Sequence, residues 1–352
     1  MSTVCEVSTK RVTSPLAGLG ITSPVIAAPM AGGPSVPDLV VAAESVGCLG
    51  FLAGGYKSAD QLATQLTAVR SVTEVVGVNL FAPNPVRVDR GAFREYAAAV
   101  QPVADRYGID LADAEPVEDD DAWSDKVDLL LASPVPVVSF TFGIPDPSVI
   151  AAFRKAGTLT VQTITSVAEV TVAQASGVDL LAVQSTEAGG HRGVLRPELP
   201  ADQTPLPELV ASVRRATDVP VLAAGGVSTT EGVAAALRAG AVAVLVGTVL
   251  LRSDESAASA THKAALAEGR RDTVVTRSFT GRPARGLRND FIDRFDAIAP
   301  PGYPALHHLT SRLRRAAAAA GDPELVNLWA GAGYRDGTAE PVAAILDRLS
   351  AV

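Results

Sequence analysis

Eight short and nearly continuous apolar runs, parted by Ala-rich stretches of helical composition, constrain this chain more than any other feature. The runs lie at 24–29, 48–53, 75–80, 136–140, 159–163, 179–184, 219–224 and 241–246. Helical stretches follow at 36–46, 58–71, 146–156, 166–176, 205–216 and 229–239. The runs do not alternate apolar with polar residues, which is the pattern of parallel strands covered on both faces. Eight such units predict an α/β fold closed into a (β/α)8 TIM barrel. An open doubly wound sheet would bring fewer strands and a glycine-rich turn after the first, and no GxGxxG follows the first run here.

Two regions break the repeat. Residues 83–133 hold helical segments and the acidic stretch 118–121, read as a solvated helical excursion. Residues 252–350 contain an Arg/Gly-rich segment at 277–290, a Pro-rich turn at 299–304, an Ala/Arg helix at 305–320 and a last helix near 339–350. The expected organisation is a barrel core over 1–251, a small C-terminal cap over 252–338 and a closing barrel helix over 339–352. A 352-residue chain with 47% hydrophobic and 19% charged residues has ample material for such a core.

Composition narrows the partners. A net charge of −8 argues against nucleic acid and against an anionic membrane. No apolar stretch is long enough to span a bilayer, and the N-terminus does not read as a signal peptide. The two cysteines, Cys5 and Cys48, form no CxxC or Cys/His cluster, so neither a disulfide framework nor a metal site is expected, and the reduced cytoplasm is the natural compartment. Self-association stays open.

In barrels of this kind the site lies at the C-terminal ends of the strands, with a phosphate often held after the seventh and eighth. The seventh run ends in Gly225-Gly226 with Ser228 and Thr229 at a helix start, and the eighth ends in Leu245-Val246-Gly247-Thr248. Glycine there lets backbone N–H groups approach an anion, and a helix N-terminus adds favourable partial charge. The sixth run ends at Gln184 and opens a polar loop through Glu187, Gly189, Gly190, His191 and Arg192. His191 can act as a general base or hydrogen-bond donor near neutral pH, and the two glycines let backbone lie against a planar ring. Glu187 reads as a loop-orienting residue, while Arg192 fits an anionic substrate and a surface ion pair equally. Asn79 and Gln184 end strands where an amide can meet a ring edge; Met30, Thr141 and Phe142 follow other strands. His262, His307 and His308 lie away from strand ends and read as surface or cap residues. Trp329, Tyr303 and Phe291 fit a pocket wall or a subunit contact.

Several motifs, taken in order, resemble one family. Ala28-Pro-Met-Ala-Gly-Gly33, Gly77-Val-Asn-Leu-Phe81, Ser139-Phe-Thr-Phe-Gly-Ile-Pro145, Glu187-Ala-Gly-Gly-His-Arg-Gly193 and Ala224-Gly-Gly-Val227 are similar to nitronate monooxygenases, formerly 2-nitropropane dioxygenases. Phe279-Thr-Gly-Arg-Pro-Ala-Arg-Gly286 and Leu328-Trp-Ala-Gly331 resemble that family's C-terminal motifs. The resemblance implies bound FMN, oxidation of alkyl nitronates such as propionate 3-nitronate with O2 to a carbonyl compound and nitrite, and His191 as the catalytic histidine. By position it implies FMN contacts at Asn79, Gln184, Gly189, Gly226 and Leu245 to Thr248; Met30, Gly190 and Gly225 join them from the strand-end reading. Ser185 and Ala332 depart from the family pattern, the second in a way that bears on the pocket at the flavin. An FMN-dependent NAD(P)H enoyl-thioester reductase shares the glycine and histidine positions and stands as the competing activity; a non-catalytic flavin-binding barrel is the third reading.

Overall fold

The computed structural model describes residues 15–352, so Cys5 lies outside the described residues. Among the described residues eleven strands form: β1 (Val25–Ala27), β2 (Leu49–Ala53), β3 (Gly77–Ala82), β4 (Val137–Phe142), β5 (Leu159–Ile164), β6 (Leu180–Gln184), β7 (Gly190–His191), β8 (Val221–Ala224), β9 (Ala243–Val246), β10 (Thr273–Thr276) and β11 (Ala284–Leu287). Eight of them close a parallel barrel in the order β1-β2-β3-β4-β5-β6-β8-β9, sealed by Ile26 opposite Leu245. This is the expected TIM barrel. The third and fourth strands run further toward the mouth than the apolar runs implied, because Phe81 and Ala82 stay paired with Thr141 and Phe142.

The twelve α-helices among the described residues are α1 (Pro37–Glu44), α2 (Ala59–Arg70), α3 (Arg90–Ala104), α4 (Trp123–Ala132), α5 (Pro147–Lys155), α6 (Val170–Ala175), α7 (Leu206–Ala216), α8 (Thr230–Arg238), α9 (Ala260–Glu268), α10 (Asp290–Phe295), α11 (Ala305–Ala319) and α12 (Val342–Ser350). The helix expected at 166–176 opens as a 3-10 turn, Val167–Glu169, before α6. Among the described residues no helix is long and apolar enough to cross a membrane.

Side chains alternate along each strand, and this sorts the apolar residues into two cores. Ile26, Phe51, Val161, Ala182, Leu222 and Leu245 fill the barrel interior. Val25, Val138, Phe140, Val183, Val244 and Val246 face the helices instead. A third core joins the cap to α3: Phe93, Tyr96 and Val100 pack with Phe279, Phe291, Leu306 and Leu313.

Residues 83–133 therefore do not behave as one excursion. Helix α4 packs with α2 and β3 in the barrel's outer layer, while α3 belongs with the cap helix α11. In the acidic stretch Glu118, Asp119 and Asp120 are exposed, as expected, but Asp121 is partly buried. Asp121 Oδ2 accepts from Lys126 Nζ at 2.7 Å, and Lys126 is only 1% exposed. Asp121 Oδ1 also takes the Tyr56 backbone N–H at 2.8 Å, and Asp119 pairs with His308 on α11 at 2.9 Å. A buried ammonium needs such a partner, and no hydrophobic pattern announces it. Helix α12 packs on α1, α8 and β1, closing the barrel's outer ring.

The second sheet, in the order β10-β11-β7, is antiparallel and bridges barrel and cap. One edge strand is the two-residue β7, with His191 opposite Ala284 and Gly190 opposite Arg285.

Candidate active site

One cavity of about 640 Å³ lies over the C-terminal ends of the barrel strands. Its walls include Met30, Asn79, Gln184, Gly189, Gly190, His191, Gly225, Gly226, Leu245, Gly247 and Thr248. Val246 alone among the expected cofactor contacts does not line it. Strand alternation is the reason: Leu245 points into the barrel and Val246 toward the helices.

The loops after β8 and β9 form adjoining edges of this cavity. Gly225 and Gly226 have φ of +105° and +73°, a region that favours glycine. A Cβ on Gly225 would come within 3.0 Å of the Ala188 backbone nitrogen, so protein packing alone already requires glycine there. The Thr229 side chain caps α8 through Gly232 N, and a 3-10 turn starts at Thr248. The first N–H groups of such turns have no acceptor within the turn and are suited to an anion. Thr248 Oγ1 accepts from Gly331 N at 3.0 Å, tying the cap loop to this cradle. At Gly189 a Cβ would meet Gly331 N at 2.5 Å and Ala330 C at 2.7 Å. Close approach of two backbones thus fixes that glycine.

His191 sits in an aromatic box. Phe142, Tyr303 and Trp329 present edges to its ring at centroid distances of 5.7, 5.6 and 5.5 Å. Its Nε2 is 2.9 Å from Thr280 Oγ1. The ring still opens onto the cavity, yet enclosure within the molecule dominates its titration. Burial, with the guanidiniums of Arg282 and Arg314 adding to it, pushes the imidazole down to about 3. His191 is therefore neutral across the physiological range. Arg282 is fully buried with its guanidinium 4.1 Å from the centre of the Phe142 ring, and Phe142 itself adopts φ of +82°.

The polar strand ends turn out to hold one another. Gln184 Nε2 donates to the His191 carbonyl at 3.2 Å, and Gln184 Oε1 accepts from Gly193 N at 2.8 Å. Both ends of this amide thus fix the loop that carries His191, while the residue also lines the cavity. Asn79 Nδ2 donates to Ser139 Oγ at 2.9 Å and to Thr141 Oγ1 at 3.0 Å, which leaves its Oδ1 as the acceptor. Ser185 Oγ accepts from Glu187 N at 3.3 Å and stabilises the turn of the same loop.

Other expectations change. Arg192 is buried outside the cavity, where Glu169 and Asp202 act on its charge. Ala332 is exposed and does not itself line the cavity, although its neighbours Gly331 and Gly333 do. Trp329 lines the cavity, whereas Phe291 is buried in the cap core against Phe279. His262 and His307 are not surface residues: both line the cavity and are buried enough to be held neutral, His262 down to about 4. His307, Ser311, Arg314, Arg315 and Ala318 all face the cavity from α11. Their 3.6-residue spacing was available in the sequence as a polar stripe along one helix face.

Fold and site together define an α/β barrel with a glycine-lined cavity edge after β8 and β9 and a neutral imidazole at its mouth. Residues 13–351 match the family description "Nitronate monooxygenase", and the chain belongs to that family, a group of flavin-dependent oxidoreductases. It is 36% identical over 327 residues to a probable nitronate monooxygenase of Staphylococcus saprophyticus, covering 90% of each chain. Among solved structures it is similar to nitroalkane oxidase from Streptomyces ansochromogenes, at 42% identity and TM-score 0.89 over 95% of this chain and 96% of that one. It is also similar, at 26% identity and TM-score 0.72, to FabK from Thermotoga maritima, over 96% and 95% of the two chains.

Proposed function

We propose that the chain oxidises alkyl nitronates, propionate 3-nitronate among them, with O2 to a carbonyl compound and nitrite, using FMN. The observation that carries this reading is the neutral His191, boxed by Phe142, Tyr303 and Trp329 in the same cavity as the glycine cradle. The residues fit a flavin phosphate. Gly225, Gly226, Gly247, Thr248 and Ser228 line one part of the cavity, and no Asp or Glu lines it anywhere among the described residues. When bound, the flavin supplies the redox chemistry.

The chain's own part is binding and proton handling. Thr280 engages Nε2 of His191, so Nδ1 is the ring atom left for substrate. With the hydrogen on Nε2, the Nδ1 lone pair takes the α-proton of a neutral nitroalkane. With the hydrogen on Nδ1, the ring donates to a nitronate oxygen. Gln184 fixes the loop that carries the ring. The aromatic box and the cap, residues 252–338 on this reading, exclude water from the reacting centre.

The test is to purify the protein, identify its flavin by mass, and mix it anaerobically with propionate 3-nitronate or with NADH or NADPH. Loss of the visible flavin absorption with nitronate alone, followed by nitrite release in air, supports the reading. Loss with a nicotinamide alone moves the assignment to the enoyl-thioester reductase.

A further inference from the structure

The catalytic cavity extends beyond the barrel mouth to a wall made by α9 and α11, and that wall is polar without being acidic. Arg314 and Arg315 on α11, His262 on α9 and Asn327 in the following loop all line it. The helices are tied together by Thr261 Oγ1 donating to the Ala318 carbonyl at 2.8 Å.

Arg314 is 9% exposed, and every partner it has is neutral. Nε donates to Thr310 Oγ1 at 3.0 Å and one terminal nitrogen to Asn327 Oδ1 at 3.1 Å. The other terminal nitrogen donates to the His307 carbonyl at 2.9 Å and lies 3.2 Å from His307 Nδ1. Five N–H donors are available on a guanidinium, so one remains. Burial pushes Arg314 down to about 10, so it stays charged at neutral pH, and no carboxylate is among the groups acting on it. In a chain with 38 Asp and Glu residues, a buried cation without one is unusual. A second buried group in the same wall also lacks a partner: His262 Nε2.

We infer that Arg314 is a specificity-determining residue that holds a second anionic group of the substrate, a carboxylate foremost, at the end away from the reacting carbon. The inference rests on the nitronate reading for the identity of the substrate, but not for the existence of the anion subsite. A charged ligand group supplies the acceptor that the spare N–H lacks and the counter-charge that the fold withholds. The competing reading is a strut that joins α11 to the Asn327 loop.

Two variants separate these readings. Arg314→Gln removes the charge. Asn327→Asp keeps the guanidinium and its contacts but places a carboxylate on it. For both, kcat/KM is measured with propionate 3-nitronate and with ethyl nitronate, and the Kd of succinate is measured by calorimetry. The ratio of the two kcat/KM values should fall by about 10- to 100-fold, carried by KM, and succinate should weaken by a similar factor. An equal loss on both nitronates, or an unchanged succinate Kd, makes Arg314 a strut and overturns the inference. If the unaltered enzyme oxidises no nitronate yet binds succinate in an Arg314-dependent way, the nitronate reading fails and the subsite stands. Should Arg314→Gln fail to fold, Asn327→Asp decides alone.

Discussion

Replacing Gln184 with Met keeps the length of the side chain and removes both ends of its amide. The His191 carbonyl loses its 3.2 Å donor and the buried Gly193 N–H loses its 2.8 Å acceptor. Losing the bond to the His191 carbonyl costs about 1 kcal/mol, and the buried Gly193 N–H left without a partner costs about 1–3 kcal/mol. The total of about 2–4 kcal/mol divides between global stability and the alignment of the loop. If all of it fell on alignment, the aligned population would drop by roughly 30- to 1,000-fold. The antiparallel pairing of β7 with β11 holds the loop from its other side, so part of the cost should appear as melting temperature instead. Two measurements on the purified variant read both shares: Tm, and kcat/KM with nitroethane at matched flavin loading. Expected are a Tm lower by several degrees and a kcat/KM lower by at least about tenfold, with the flavin retained because the phosphate site proposed at the loops after β8 and β9 lies elsewhere. A variant with unchanged Tm and unchanged kcat/KM would refute the claim that Gln184 positions His191.

Further outcomes follow from the same geometry. His191→Asn should keep its flavin and lose turnover, more with neutral nitroalkanes than with preformed nitronates; equal kinetics in the folded variant removes His191 from the chemistry. Because the folded pKa of His191 is about 3, below the unfolded value of about 6.5, its neutral form contributes stability that is present above about pH 6.5 and is lost as pH falls toward 3. His191→Asn should therefore flatten the decline of Tm in that window, and an identical decline contradicts the assignment. Likewise, kcat/KM for preformed nitronates should show no His191 ionisation between about pH 5 and pH 8. Asp121→Ala leaves the Lys126 ammonium buried without its partner and should destabilise by about 3–5 kcal/mol in denaturant melts. A loss under about 1 kcal/mol would mean that Lys126 reaches water. Gly189→Ala must push apart two backbones, so the purified variant should carry less flavin by absorbance; full loading refutes the close approach.

The barrel was legible because parallel strands covered on both faces leave continuous apolar runs, and the glycines at 225, 226 and 247 fall where the last two runs end. Val246 was misplaced because a run that is apolar throughout does not declare which residues face inward; only the pairing of Leu245 with Ile26 settles it. The role of Gln184 could not be read from the sequence, because its partners are backbone groups of a loop that folds back on it. His262 and His307 were missed for a related reason. They reach the cavity from helices after the barrel, and the antiparallel β7–β11 pairing that brings cap and mouth together joins residues nearly a hundred positions apart. The acidic stretch misled in part because Asp121 is held by Lys126, five residues on and buried at the start of α4, and Asp119 meets His308 from a helix far along the chain.

The most direct test of the account is anaerobic mixing of the flavin-loaded protein with propionate 3-nitronate in the absence of any nicotinamide, followed by admission of air. The visible flavin absorption should be lost on mixing, return with air as nitrite is released, and be lost far more slowly in His191→Asn with nitroethane as substrate. Flavin that stays oxidised with nitronate but is reduced rapidly by NADH or NADPH would contradict it.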